Sequence, residues 1–383
     1  MPNPAPHLES QADRAAAAGD LSAARRALEE AVASGTPTVE LWSKLSAVRR
    51  ALGDGPGALD AIEQALALSP LDFSALLARA MLLERSGDPR ADLAFGHAVA
   101  QLPADGQVPR PLAAAVEHAK TRAAVHQQRV EERLLGQIPD GLEAHERYRL
   151  ERFASNTSRR TRHFHQQPTD FHFPGLPEVE FHDPAQFSGI RDIEAATANI
   201  RGEYEALRKL TTAKLVPYTQ YPDHVPLDQW RELNNNPDWT AIHLLQNGER
   251  VEANASHCPV TMDVLSRLPQ PDIAGAAPNA MFSLLAPRTR IPPHTGVANV
   301  RLVAHLPLIV PAGCGFRVGA SFREWRPGEV FVFDDTIEHE AWNDSDELRV
   351  VLIFDLWAPA IGQRERDAIA RLIAAAGVSF NGA

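Results

Sequence analysis

Three Gly-Asp pairs, Gly19-Asp20, Gly53-Asp54 and Gly87-Asp88, recur at a spacing of 34 residues. A fixed period of this size means stacked supersecondary units, because each unit buries its apolar face only against its neighbours. In the second unit Ala58, Ile62, Ala65 and Pro70 follow Gly53 at +5, +9, +12 and +17, while Trp42 and Leu45 precede it. Small residues there let paired helices approach closely, and the larger ones fill the groove between repeats. The first unit keeps Ala24, Leu28 and Ala31, with its proline displaced to Pro37. In the third, Asp92 and Gly96 stand where small and large apolar residues belong, and Pro103 comes one place early. It reads as a degenerate end unit.

The pattern resembles the tetratricopeptide repeat, in which two antiparallel helices turn at the Gly and a Pro ends the second. We expect helical hairpins from about 8 to 103 and Ala-rich helix from about 111 to 135, making 8–135 one repeat domain. Such an array serves either as a spacer or dimerisation module or as a concave peptide-binding surface; nothing in it carries chemistry. The net charge of −11, from 38 basic and 49 acidic residues, disfavours a nucleic-acid surface. No run approaches the ~20 apolar residues of a membrane span. The opening MPNPAPHLES has neither the basic patch nor the apolar core of a secretory signal. The two cysteines, Cys258 and Cys314, sit in no CxxC. Together these features lead us to expect a reducing, cytoplasmic compartment; the oligomeric state stays open.

Residues 136–190 read as a Pro- and His-rich linking segment. Arg159 through His165 is basic, and Phe173-Pro174-Gly175-Leu176-Pro177 is incompatible with a helix or a central strand. The H-x-H of His163 and His165, with His172 nearby, invites a metal. Without strand alternation or a third ligand at a diagnostic distance, surface or packing histidines are the expectation. Helical periodicity returns over about 191–214 in Ile193, Ala196, Ile200, Tyr204, Leu207 and Leu210. This helix is expected to pack outside the fold that follows.

From Trp239 onward, short apolar runs alternate with turns: Thr240–Leu245, Met281–Leu285, Val300–Val310, Phe316–Gly319, Glu329–Phe333 and Leu348–Leu356. That rhythm suggests a sandwich or barrel. By strand parity Arg301, Val303 and His305 share one face, as do Arg349, Val351 and Ile353. Buried Arg and His in such strands need an anion or another partner. His294 and His339 are read at turns bordering the strands, 45 residues apart, with Arg349 ten residues after the second. An early His, a late His and a following basic residue are the layout of a jelly-roll oxygenase. Fe(II) suits such a site because imidazole ligation leaves open positions, and an Arg fork suits a carboxylate. His339-Glu340 begins like a zinc-protease motif, but Asn343 stands where the second His is required.

The strings PPHTG with Asn299-Val300-Arg301, His305-Leu306, Cys314 through Val318, Trp325, Gly328-Glu329, FVFDDTIEHEAWN and Arg349 through Trp357 resemble the aspartyl/asparaginyl β-hydroxylase family. With weaker matches at Phe173–Pro177 and Trp239–Asn254, the resemblance covers about half the chain. It implies a double-stranded β-helix oxygenase domain over 191–375 with packing helices, using Fe(II), with 2-oxoglutarate and O₂ as cosubstrates. The whole then reads as an α+β multidomain chain, repeats followed by oxygenase. Animal members also carry a tetratricopeptide region. The resemblance assigns His294 and His339 to iron, Arg349 and Ser283 to the distal carboxylate of 2-oxoglutarate, and His305 to its other end. Gly296 stands where oxygenases usually carry an Asp or Glu ligand; the family is known for that loss, with water in the vacant site. Asp334 and Asp335 are expected to support His339 by hydrogen bonds and not to replace that ligand. Arg301 is the candidate for a substrate carboxylate, with Arg290 and Arg317 behind it. The implied reaction is hydroxylation of an Asp- or Asn-type side chain in a peptide or protein, docked by the repeats. The alternatives are hydroxylation of a lipid acyl chain or small molecule, and a non-catalytic scaffold with a degenerate oxygenase domain.

Overall fold

Each Gly-Asp pair is a helix stop, and in two of three cases also a helix start. Gly19, Gly53 and Gly87 hold φ of +83°, +80° and +69°, a left-handed conformation that other residues rarely adopt. Asp20 and Asp54 then cap the next helix, their carboxylates accepting from the N–H of Ala23 and Gly57 at 2.9 Å. The computed structural model describes residues 5–35, 37–103, 108–210, 215–221, 231–232 and 234–377. Residues 211–214, the end of the helix expected over 191–214, lie outside them. The chain divides between Arg162 and His163 into two compact units.

In the first unit α1 (Ala5–Ala17) pairs with α2 (Leu21–Ser34), α3 (Val39–Ala51) with α4 (Gly55–Leu68), and α5 (Phe73–Arg85) with α6 (Ala91–Val99). Ala24, Leu28, Ala31 and Ala58, Ile62, Ala65 are buried as their spacing requires. The third unit is not degenerate. Ala91, Phe95 and Ala98 are among its buried residues, the same small-large-small set arriving one residue early, as Pro103 does. One residue is missing after the turn. Asp88 is accordingly out of capping position and pairs with Arg90, while Asp92 faces outward to accept from Arg122 at 3.0 Å. Helix α7 (Ala113–Leu135) packs on α6, and α8 (Ala144–Thr157) packs on α7. The expected linking segment therefore contains a helix, which buries only Ala154 and so shows no apolar stripe.

In the second unit, among the described residues, the strands are β1 (Phe181–His182), β2 (Val216–Pro217), β3 (Trp239–Gln246), β4 (Glu249–Arg250), β5 (Ala280–Leu285), β6 (Thr289–His294), β7 (Arg301–Ile309), β8 (Cys314–Val318), β9 (Ser321–Arg323), β10 (Phe331–Phe333), β11 (His339–Asn343) and β12 (Arg349–Trp357). They form two antiparallel sheets. One runs β1-β10-β7-β12-β5-β3-β2, with β4 beside β3, and the other runs β6-β11-β8-β9.

Alternation along the larger sheet separates its two faces. Leu302, Ala304, Leu306, Val350, Leu352 and Phe354 point outward, onto Ile193, Ile200, Tyr204 and Leu207 of the helices Ile190–Ala195 and Thr197–Leu207 and onto Ile369 and Ile373 of the helix Gln363–Ala376. Met281, Val303, Phe331, Phe333, Val351 and Ile353 point inward and meet Ile291, Phe316, Val318 and Ala341 of the smaller sheet. The functional residues share this inner face.

His294 and His339, read from sequence at turns, end β6 and begin β11, and face each other as paired positions. Two prolines concealed β6. It is an edge strand of the smaller sheet, the position in which a missing N–H costs no ladder bond.

Candidate active site

The cavity between the sheets is lined by Ser283, His294, Arg301, His305, His339 and Arg349, while the further candidates Arg290 and Arg317 are not part of its lining. Pairing of β6 with β11 holds the two histidine rings 4.0 Å apart. His294 Nδ1 donates to the Pro292 carbonyl at 2.8 Å and His339 Nδ1 to that of Ile337 at 3.1 Å. Both bonds put the lone pair on Nε2, which leaves that nitrogen able to ligate a metal. Burial lowers the pKa of His339 to about 4. Burial, then the neighbouring His339, lowers that of His294 well below the ordinary histidine value. Both rings are therefore neutral and ready to ligate.

Arg349 is the largest fully buried side chain and forms no ion pair among the described residues. Pairing of β12 with β5 sets Arg349 opposite Leu285 and Val351 opposite Ser283, so Arg349 and Ser283 are diagonal neighbours. Arg349 Nη1 reaches Ser283 Oγ at 3.4 Å, its Nε has no hydrogen-bond partner, and its guanidinium lies 4.8 Å from the centre of the Trp325 ring. Burial pushes its pKa down to about 10, which still leaves it charged at neutral pH. A buried cation with an orphaned donor is a site for an anion. Ser283 Oγ also accepts from Trp239 Nε1 at 3.2 Å, leaving its own hydrogen to donate. His305 Nδ1 accepts from Trp325 Nε1 at 3.2 Å, so Nε2 carries the proton. Burial and then the charge of Arg349 keep this ring neutral. Charge, hydroxyl and imidazole N–H thus line one wall opposite the two metal-ready histidines.

Arg301 sits between two acids, with Nη2 3.1 Å from Asp335 Oδ2 and Nη1 3.5 Å from Asp355 Oδ1. Burial opposes its charge, and the two carboxylates outweigh that and keep it protonated. Its guanidinium, expected to be available to a substrate, is a partner in a buried triad. Arg290 and Arg317 are also paired, with Asp344 and with Glu338 and Glu340.

Of the two aspartates expected to support His339, Asp335 does so through its main chain, not its carboxylate. Asp334 accepts from the N–H and hydroxyl of Thr336 and from Gln166, and burial, partly offset by these bonds, raises its pKa to about 6. Asp335 explains the glycine: a Cβ built on Gly296 would fall inside the Asp335 carboxylate. The Asp335 carboxylate thus takes the space a side chain at position 296 would need, and the Gly296 N–H donates to the Asp335 carbonyl at 2.7 Å.

Sequence reasoning missed Asp355, Asp335 as a wall of the cavity, and Tyr218, which stacks on Trp239 at 3.9 Å. Asp355 had a signal: it is the acid on the inward parity of β12, which Arg349, Val351 and Ile353 share. Tyr218 had none.

Residues 194–359 match the family model described as aspartyl/asparaginyl beta-hydroxylase. The second unit is similar to that family over these residues. Human aspartyl/asparaginyl beta-hydroxylase is 34% identical over 142 residues, 37% of this chain and 18% of its own length. Aspartate beta-hydroxylase domain-containing protein 2 of Xenopus tropicalis is 30% identical over 55% of each chain. The ornithine lipid ester-linked acyl 2-hydroxylase of Rhizobium tropici is 32% identical over 48% of this chain and 62% of its own. The chain thus spans less than two thirds of each of these relatives. The tetratricopeptide domain of Sgt2 from Aspergillus fumigatus is 19% identical, covers 38% of this chain and 95% of its own, and superposes with a TM-score of 0.29. The repeat assignment rests on the hairpins themselves.

Proposed function

We propose that the second unit is an Fe(II)- and 2-oxoglutarate-dependent dioxygenase that hydroxylates an Asp- or Asn-type side chain of a peptide or protein. The observation that carries this reading is Arg349, a buried cation without an anion of its own, facing two neutral histidines across one cavity. The residues fit the implied groups. Nε2 of His294 and His339 would hold the iron. Arg349 and the Ser283 hydroxyl would take the distal carboxylate of 2-oxoglutarate, with His305 Nε2–H donating to the same molecule. Iron with 2-oxoglutarate supplies the activation of O₂ that inserts oxygen into an unreactive C–H bond. The protein's part is to orient: the aromatic wall of Phe316, Phe333 and Trp325 excludes water and fixes the donors. The peptide reading draws on the beta-hydroxylase relatives and on the repeat unit as a docking surface.

The test incubates the full chain anaerobically with Fe(II) and 2-oxoglutarate, adds O₂, and follows succinate together with the masses of an Asp/Asn peptide library and of acyl lipids. Succinate and peptides heavier by one oxygen are expected, and both should vanish in His294→Ala and His339→Ala. Oxidation of lipid alone would overturn the substrate class and keep the chemistry. No succinate under any condition would overturn both.

A further inference from the structure

On the surface of the second unit, His163, His165 and Glu178 bring one ligand atom each within 4.8 Å of the others. We infer that these three residues form a second divalent-cation site, of zinc type, separate from the paired histidines of the cavity. Two imidazoles and a carboxylate are a donor set that zinc accepts, with water completing the tetrahedron. Exposure of all three residues leaves room for that water.

The site is built before any ion arrives. Glu178 Oε1 accepts the Gln166 N–H at 3.0 Å, and this turns Oε2 toward the rings. Oε2 lies 3.3 Å from His163 Nε2 and 3.0 Å from His165 Nδ1. The rings stand edge to face with centroids 4.2 Å apart, so both present a nitrogen to one point. An outer hydrogen bond that aims a carboxylate is the usual support of a ligand. The backbone beneath is fixed as well. Gln167 N–H donates to Thr336 O at 2.7 Å, Thr169 N–H donates to Gly296 O at 3.0 Å, and Gln166 bridges to Ile337. Little ordering entropy remains to oppose binding. The sequence argued against a metal because no third ligand stood at a diagnostic distance. The ligand is Glu178, thirteen residues beyond His165, and only the return of the chain brings it there.

An ion here clips residues 163 and 165 to 178, closing a strap whose backbone is bonded to the loops beside both cavity histidines. The site would therefore act as a clamp on those loops, with no part in the oxidation itself.

Equilibrium dialysis against Zn²⁺ alone tests this on the full chain. In a His294→Ala/His339→Ala background we expect one ion per chain. Adding Glu178→Gln, or His163→Ala with His165→Ala, should weaken uptake by more than the about 10–100-fold that losing an outer-sphere partner costs. The otherwise native chain should take up two ions and its His163→Ala/His165→Ala variant one, an arm that leaves the cavity intact. Circular dichroism checks the fold of each variant. Zinc uptake that neither Glu178→Gln nor His163→Ala/His165→Ala alters overturns the site, leaving an ordinary surface histidine–glutamate pair.

Discussion

The two units bury different things. Among the described residues, the buried polar side chains of the first unit are Ser46 and Ser158; the rest of its core is Ala, Leu, Ile, Val and Phe. The second unit buries Arg301, Arg317, Asp334, Asp335, Arg349, Asp355 and three histidines beside an apolar core of its own. Apolar burial stabilises by roughly 25 cal/mol per Å², so the first core needs no further explanation. A buried charge costs several kcal/mol and persists where it is paired or where it receives a ligand. Arg301 is the first kind, held by two carboxylates. In the proposed function Arg349 is the second, its Nε lacking any hydrogen-bond partner. The contrast between these two arginines separates structure from function inside one cavity.

Removing the paired arginine should do the most damage. Arg301→Met leaves Asp335 and Asp355 buried and uncompensated, and should cost about 3–5 kcal/mol of stability, read from denaturant melts of the chain. A loss below about 1 kcal/mol would show that the triad is not structural. Gly296→Ala comes next. Its Cβ must push the Asp335 carboxylate off Arg301, an overpacking worth about 1–3 kcal/mol, and succinate formation should fall with it. The smallest effect lies in the repeats, where Asp54→Ala removes a helix cap and should cost about 1 kcal/mol. Asp88→Ala, out of capping position, should shift the thermal melt less than Asp54→Ala does. Equal effects would mean that the one-residue shift in the third unit does not matter.

Much of this was legible because it was periodic. The spacing of 34 residues located the hairpins, and period-2 parity put Arg301 with His305 on one face of their strand and Arg349 with Val351 and Ile353 on one face of theirs. Three things escaped for physical reasons. Helix α8 buries too little to leave a stripe, and β6 carries Pro292-Pro293, which only an edge strand tolerates. The third is the long-range pairing of polar groups. That Asp335 fills the place of a side chain at Gly296, and that Glu178 meets His163 and His165, depends on chain returns that no local spacing encodes.

The proposed function turns on Arg349, a buried cation with an unpartnered donor that would take a dicarboxylate. Anaerobic calorimetric titration of the Fe(II)-loaded chain with 2-oxoglutarate, for the native sequence and Arg349→Met, tests it most directly. Loss of the charged fork should weaken 2-oxoglutarate by about 100-fold, or about 3 kcal/mol. Pyruvate, which lacks the distal carboxylate, should bind both proteins alike, and the ligand-free variant should be as stable as the native chain or more so. Equal affinity of the two proteins for 2-oxoglutarate would contradict the claim.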